Sequence, residues 1–446
     1  QCFGVRHVQA FLLFLCFFTT FFLRINLSVA IVAMTDRNSS NPEFEEFHWT
    51  EKQKSAVLSS FFWGYLVIQA PAGELGQYLS PKLLLLISNA ISATLTALIP
   101  LASSYGGWGL LCVIRVFQGI FQGFLVPLSY NLASKWAPPS ERNRFVGFSL
   151  NGGTLGATAA LPLCGLLASS SGGWPSIFYI SATLGFVWVI LYALFGADSP
   201  DTHRYISQEE KEFIHEALDN SPGKKVNKTP WKSILTSIPV WALICAHLGN
   251  GWGYAMVLTE LPSYINSVLG FDIAANGFLS ALPFLSLWIM TFPICWLADF
   301  IQKKKILTET TTRKLWTTIA ETGSGIMLLT VGFVGRDAIA AMSLVTITVS
   351  LSAFIFAGFN INHLDLAPNY AGVLMGITNG LENITTILAP LTVGWIITDN
   401  KSVEQWRIAF TVTACVAILG NLVFVLFGTA EEQRWNNENK SEERET

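Results

Sequence analysis

From Val8 to Met34 the chain runs 27 residues with one charge, Arg24. About 20 apolar residues cross the hydrocarbon core of a bilayer. The stretch exceeds the apolar region of a cleaved signal peptide, and eleven similar stretches follow it. Twelve spans are predicted: 8–34, 53–78, 82–104, 107–135, 143–169, 174–196, 239–267, 272–298, 312–334, 338–358, 370–397 and 405–428. Composition agrees. Hydrophobic residues make up 51% and charged residues 13%, about half the usual charged share. The expectation is an all-α integral membrane protein embedded in a lipid bilayer, with no nucleic-acid partner and no assembly beyond a monomer. The seven cysteines are scattered through apolar segments with no metal or disulfide spacing, as small buried hydrophobes are. No nucleophile elbow, zinc-ligand pair or phosphate loop occurs, so neither an enzyme nor a bound cofactor is expected. Twelve spans also do not suit a seven-helix receptor.

The longest polar segment, 197–238, divides the spans six and six. It contains "SPDTHRYISQEEKEFIHEALDNSPGKK" and reads as a soluble, partly helical linker. The predicted organisation is an N-terminal six-helix half (1–196), this linker, a C-terminal six-helix half (239–428) and a polar tail (429–446). Of the 27 Lys and Arg, 19 lie on the side of the termini and linker and 6 on the opposite side. Positive charge marks the cytoplasmic side, so both termini and the linker are expected there. Asn38, in "NSS" on the outer side, is a candidate glycosylation site. The chain opens on Gln1 rather than Met, and a native N-terminal segment is expected to precede it.

The halves echo each other. Asn151-Gly152 precedes Pro162-Leu163 by 11 residues, and Asn379-Gly380 precedes Pro390-Leu391 by the same 11; both pairs are offset by 228. Trp174 leads Phe178 by four, and Trp406 leads Phe410 by four. Two six-helix pseudo-repeats of parallel sense are the plan of the major facilitator superfamily, whose substrate site lies near the midplane between the halves.

An arginine at the centre of a span costs roughly 2.5–3.5 kcal/mol on insertion scales and faces a bundle interior or an aqueous cavity. Arg24 lies 10 residues from the outer end of span 1, and Arg115 lies 8 from the outer end of span 4. At 1.5 Å per residue those depths are roughly 15 and 12 Å. No acid lies deep enough in spans 1 to 6 to neutralise the pair, since Glu74 sits near a span end. Arginine grips carboxylate or phosphate with a planar fork of donors, so the pair suits a small anionic substrate. The alternative is a structural arginine bonded to carbonyls. Gln118 and Gln122, one turn apart, suit a substrate or the support of Arg115. Ser28 shares a helix face with Arg24, whereas Asn26 and Leu27 turn away. Tyr65 in span 2 and Asn250 in span 7 complete the substrate-binding candidates. Among the acids of the second half, Glu382 is the coupling candidate, for a proton or sodium, against an equal reading as a structural carboxylate. Glu321, in a peripheral span, and His247 are expected to be structural. Gly119, Gly123, Gly152, Gly153 and Gly156 are expected at close helix contacts. Trp108, Trp174 and Trp406 are expected in an interfacial belt.

Four strings carry a family resemblance over nearly the whole chain: "SSFFWGYLVIQAPAGELG", "SKWAPPSERNR", "WLADFIQKKKILTETTTRK" and "GFNINHLDLAPNYAGVLMGITNG". The chain resembles the anion/cation symporters, which include type I sodium/phosphate cotransporters, sialin and the vesicular glutamate transporters. The resemblance implies ion-coupled anion transport by alternating access, with Arg24 and Arg115 matching the family's membrane arginines. Sialin-like members carry glutamates where this chain has Gln118 and Gln122. Vesicular glutamate transporters carry histidine at Leu58 and arginine at Asn250. These departures point to the phosphate and organic-anion branch, driven by Na+ or H+, in the plasma membrane. The runner-up is a proton-coupled lysosomal exporter of acidic sugars.

Overall fold

The computed structural model describes residues 4–35, 41, 43–218, 228–270, 273–399 and 401–436. Asn38 lies outside them. The chain divides into two compact units, Gln1–Pro139 with Phe148–Val226, and Ser140–Gly147 with Asn227–Thr446.

In the first unit, α1 is Val5–Thr35, α2 is Glu51–Tyr78 and α3 is Pro81–Gln122. Helix α3 holds two predicted spans, because its trace turns at Gly107 (φ 60°, ψ −159°). That backbone region strains any residue with a Cβ. Then come α4 (Leu125–Trp136), α5 (Arg142–Ser169), which begins within the second unit's Ser140–Gly147 stretch, and α6 (Gly173–Phe195). The linker contributes α7, Gln208–Leu218. Its Glu210 caps α1 by accepting from the backbone N–H of Val5 at 2.8 Å and of Arg6 at 3.1 Å, a favourable place for a carboxylate at a helix N-terminus. The Arg6 guanidinium pairs with the same carboxylate at 2.8 Å.

The second unit contains α8 (Trp231–Thr236), α9 (Ile238–Ser267), α10 (Ile273–Lys303), α11 (Glu309–Thr318) and α12 (Ser324–Val334). It continues with α13 (Ala338–Leu351), α14 (Phe359–Leu366), α15 (Ala371–Ile396) and α16 (Val403–Phe427). A π-turn, Ile319–Gly323, joins α11 to α12. The predicted span 10 is not one helix. It passes through a 3₁₀ segment, Ser352–Phe356, and breaks at Gly358 before α14. The cause is a close approach: a Cβ on Gly358 would lie 2.7 Å from Thr317 Oγ1 and 2.9 Å from its backbone nitrogen.

Among the described residues, nine helical stretches are long and apolar enough to cross a membrane. One of them, Pro81–Trp136, crosses twice. The two expected spans outside that set are α9 and α15. Both are long enough, but polar residues interrupt them: His247, Asn250 and Glu260 in α9, and Asn379, Glu382 and Asn383 in α15. Polar groups inside a membrane face the bundle interior and mark function.

Small residues set the packing. A Cβ on Gly119 would overlap the carbonyl oxygen of Phe61, and one on Gly64 the carbonyl oxygen of Val116, so α2 and the second leg of α3 touch backbone to backbone. Gly152 and Gly156 of α5 meet the carbonyls of Phe14 and Phe18 in α1 the same way. The repeat is visible in the rings. Trp174 packs on Phe178 at 6.2 Å, and Trp406 on Phe410 at 5.9 Å. These two tryptophans correct the belt expectation. They are 3% and 1% exposed because each plugs its own unit, with Trp174 donating to the Glu45 carbonyl and Trp406 meeting Tyr264 edge-on at 5.2 Å. Trp108 is exposed.

Gly119→Leu is expected to cost at least the roughly 1–3 kcal/mol of an overpacked core, because backbone oxygen cannot move aside. Gly165→Ala, where no atom lies within 4 Å, is expected to be neutral. Thermal unfolding of the two variants in detergent measures the contrast; equal melting would disprove the close packing of α2 on α3.

Candidate functional site

The helix contact at Gly64 and Gly119 brings the ring face of α2 against two cations. The Arg24 guanidinium lies 4.4 Å from the Phe21 ring, 4.9 Å from Phe61 and 4.7 Å from Tyr65. Arg115 lies 4.9 Å from the same Phe61 ring. Phe21 is three residues before Arg24 on α1, and Phe61 and Tyr65 are four apart on α2, so each helix presents one face. Cation–π attraction is worth about 2 kcal/mol where water is excluded, and this aromatic shelf is what holds the guanidiniums.

Hydrogen bonds complete the cluster. Arg115 Nη1 donates to Gln118 Oε1 at 3.1 Å and Nη2 to the backbone carbonyl of Arg24 at 3.3 Å. Gln118 Nε2 donates to Thr96 Oγ1 at 2.8 Å. Arg24 Nε donates to Gln122 Oε1 at 3.4 Å. Among the described residues neither arginine has a carboxylate within ion-pair distance. Three buried donors are left over: Arg24 Nη2, Arg115 Nε and Gln122 Nε2. All three lack an acceptor, and two belong to permanent cations. Buried donors of this kind are costly unless paired. The arrangement is built to receive an acceptor with negative charge.

Of the substrate-binding candidates, the structure brings Arg24, Arg115, Gln118, Gln122 and Tyr65 into this cluster. Ser28 is not joined to it. Its side chain is exposed, and its hydroxyl donates back to the Ile25 carbonyl. Asn26 and Leu27 are fully buried away from solvent. Asn250 belongs to the second unit. There its amide donates to Glu382 Oε1 at 3.3 Å, while Glu382 Oε2 meets His247 Nδ1 at 3.2 Å. His247 is 1% exposed and packs edge-on against Phe359 at 4.6 Å and His363 at 5.0 Å. His363 Nδ1 donates to the Asn360 carbonyl at 3.0 Å. His247 is thus packed and hydrogen-bonded, and it forms one polar unit with Glu382. Glu321, expected to be structural, is 3% exposed with neither oxygen hydrogen-bonded. Among the described residues no group of three His, Cys, Asp or Glu is placed to hold a metal ion.

Sequence reasoning missed Phe21 and Phe61. The i,i+3 spacing of Phe21 and Arg24 was a usable signal. The rotation of α2 that delivers Phe61 was not, because it depends on which glycine meets which carbonyl.

Comparison with known proteins adds the family. Residues 13–390 match the model of the Major Facilitator Superfamily. The protein named "Putative inorganic phosphate cotransporter" of Drosophila melanogaster is 36% identical, covering 100% of this chain and 88% of its own length. Sialin of Homo sapiens is 34% identical over 97% of this chain and 91% of its own. Vesicular glutamate transporter 2 of Homo sapiens is 35% identical over 99% and 78%. Among solved structures, the proton:xylose symporter XylE aligns over 98% of both chains with a TM-score of 0.72 at 14% identity. That likeness concerns the fold.

Phe61→Leu is expected to weaken binding of a small anion about tenfold, the equivalent of about 1.4 kcal/mol, by releasing both guanidiniums from their shared ring. The shift of melting temperature with added anion reads that affinity. An unchanged anion-dependent shift would show that the ring only packs.

Proposed function

The chain belongs to the anion/cation symporter family of the major facilitator superfamily, and on that premise we propose that it carries inorganic phosphate or a small organic anion across a membrane. It is a multi-pass transporter, not an enzyme. One observation carries the anion reading: two guanidiniums at one depth, stacked on one ring, with no carboxylate partner among the described residues and three buried donors unfilled. A phosphate or carboxylate supplies what those donors lack, in the geometry the planar fork of arginine favours.

The choice within anions rests on the neutral glutamines. Gln118 is held between Arg115 and Thr96, and Gln122 supports Arg24. Neither glutamine carries a charge, so neither cancels the charge of the arginines. That favours the phosphate and organic-anion branch over a sialin-like exporter. Glu382, paired with His247, is a coupling candidate of the second unit, for a proton or sodium, during alternating access. The plasma membrane is the proposed location, with both termini cytoplasmic and Asn38 glycosylated on the outer side.

The test is uptake of a panel of labelled anions into proteoliposomes under separate sodium, proton and voltage gradients. Uptake of phosphate or organic anions above protein-free liposomes supports the reading; uptake of sugars alone sinks it. Arg115→Ala is expected to cost at least about thirtyfold in uptake, since truncating a buried hydrogen-bonded charge costs 2 kcal/mol or more. Arg115→Lys is expected to recover little, because a point charge lacks the fork. Wild-type affinity in Arg115→Ala would make the residue structural.

A further inference from the structure

Glu321 stands near the middle of the Glu309–Val334 helical stretch, on the π-turn. Such turns are rare and frequent at functional sites. Its side chain lines a cavity of about 40 Å3 together with Gly249 and Asn250 of α9. Space of that size admits water-sized guests. The hydroxyls of its lining are those of Ser324, Thr348, Ser352, Thr413 and Tyr254. The first four already give their protons to backbone carbonyls: Ser324 to Thr348 at 2.8 Å, Thr348 to Leu344 at 2.8 Å, Ser352 to Thr348 at 3.4 Å and Thr413 to Ala409 at 2.9 Å. Those four therefore present lone pairs, not protons, to the cavity. With neither oxygen hydrogen-bonded, an ionised carboxylate there would cost several kcal/mol. A carboxylic acid would have a proton to donate to those lone pairs.

We propose that Glu321 is a proton-binding site that loads and unloads during transport. Much of the remaining lining is carbon, such as Phe284 and Leu328, which suits a neutral acid better than an uncompensated charge. Few titratable groups face it, Tyr254 of α9 among them. Glu382 of α15 and Cys245 of α9 interact with it electrostatically, and Glu382 is paired with His247. From α12, α13, the 3₁₀ segment and α16 come the serine and threonine hydroxyls named above, and Arg313 of α11 is committed to Asp365 at 2.6 Å. Asn250 links the cavity to the pair, since it lines the one and donates to Glu382 in the other. The proton arrives from water on one side and returns to water on the other; no other bond changes. The inference rests on the transport reading for its role in coupling, but proton occupancy of Glu321 stands independently of which anion is carried.

Two measurements test it. Dicyclohexylcarbodiimide reacts with protonated carboxyls in apolar surroundings, and mass spectrometry of the labelled wild-type protein locates the adduct. Labelling of Glu321 at acidic pH that falls at alkaline pH is expected; no labelling at any pH, or protection by sodium, overturns the proposal. In proteoliposomes, one pH unit supplies about 1.4 kcal/mol and drives about tenfold accumulation of labelled phosphate by one-proton symport. Glu321→Gln is expected to lose that accumulation while still exchanging phosphate at equal pH, and Glu321→Asp to retain it. Wild-type accumulation by Glu321→Gln overturns the proposal. A wild-type protein that exchanges no anion overturns the transport reading instead, and the labelling still decides the site.

Discussion

A permanent cation inside a membrane must be compensated by something, and here the compensation is incomplete. Arg24 and Arg115 are held by ring faces, a backbone carbonyl and two amide oxygens. Those partners carry partial charges. They orient the guanidiniums and lower the cost of burial without cancelling either unit charge, and the two cations also repel each other. On the proposed reading the missing term is a mobile anion. A carboxylate at Gln118 would have closed the site electrostatically; a glutamine keeps the hydrogen bond and leaves the charge open.

The second unit solves the opposite problem with the same scaffold. The repeated Asn-Gly and Pro-Leu pairs place α5 and α15 at corresponding positions, and both helices contain the proline 11 residues on. On α5 the face toward α1 is glycine, which meets the carbonyls of Phe14 and Phe18. On α15 the corresponding region carries Glu382, bound to His247 and Asn250 of α9. The buried charges without an opposite partner among the described residues are thus arginines in the first unit and, at Glu321, a carboxyl in the second. The carboxyls of α15 and the π-turn stand in a different unit from the two arginines. Separating a fixed charge from titratable ones is a physical basis for binding an anion and sensing an ion with different parts of one chain.

Much of this was legible in the sequence, for an identifiable reason. Spanning a bilayer is a one-dimensional constraint, so run lengths gave the twelve spans, and the helix rise put Arg24 and Arg115 at one depth. The repeat needed only residue spacing. What failed was rotational or local. Trp174 and Trp406 sit at span ends, where a belt is expected, yet tertiary packing buries them. The break at Gly358 depends on Thr317, more than forty residues away, and nothing in "IAETG" announces a π-turn. The surroundings of Glu321 were hidden for the same reason, since its neighbours are set by the turn.

The glycines connect these levels. Gly64 and Gly119 let α2 and α3 approach until backbone meets backbone. Only at that separation does the Phe61 ring reach both guanidiniums. Any side chain at Gly119 would push α2 outward, and cation–π attraction falls away beyond about 6 Å. A residue with no side chain thus controls the electrostatics of a site it does not enter. In the second unit, a Cβ added to Gly420 would lie 2.6 Å from the Cys245 carbonyl oxygen, so α16 and α9 also meet closely, beside the carboxyl of Glu321. In both units, small residues decide how closely a charge and its surroundings approach, and the charge then decides what the unit can bind.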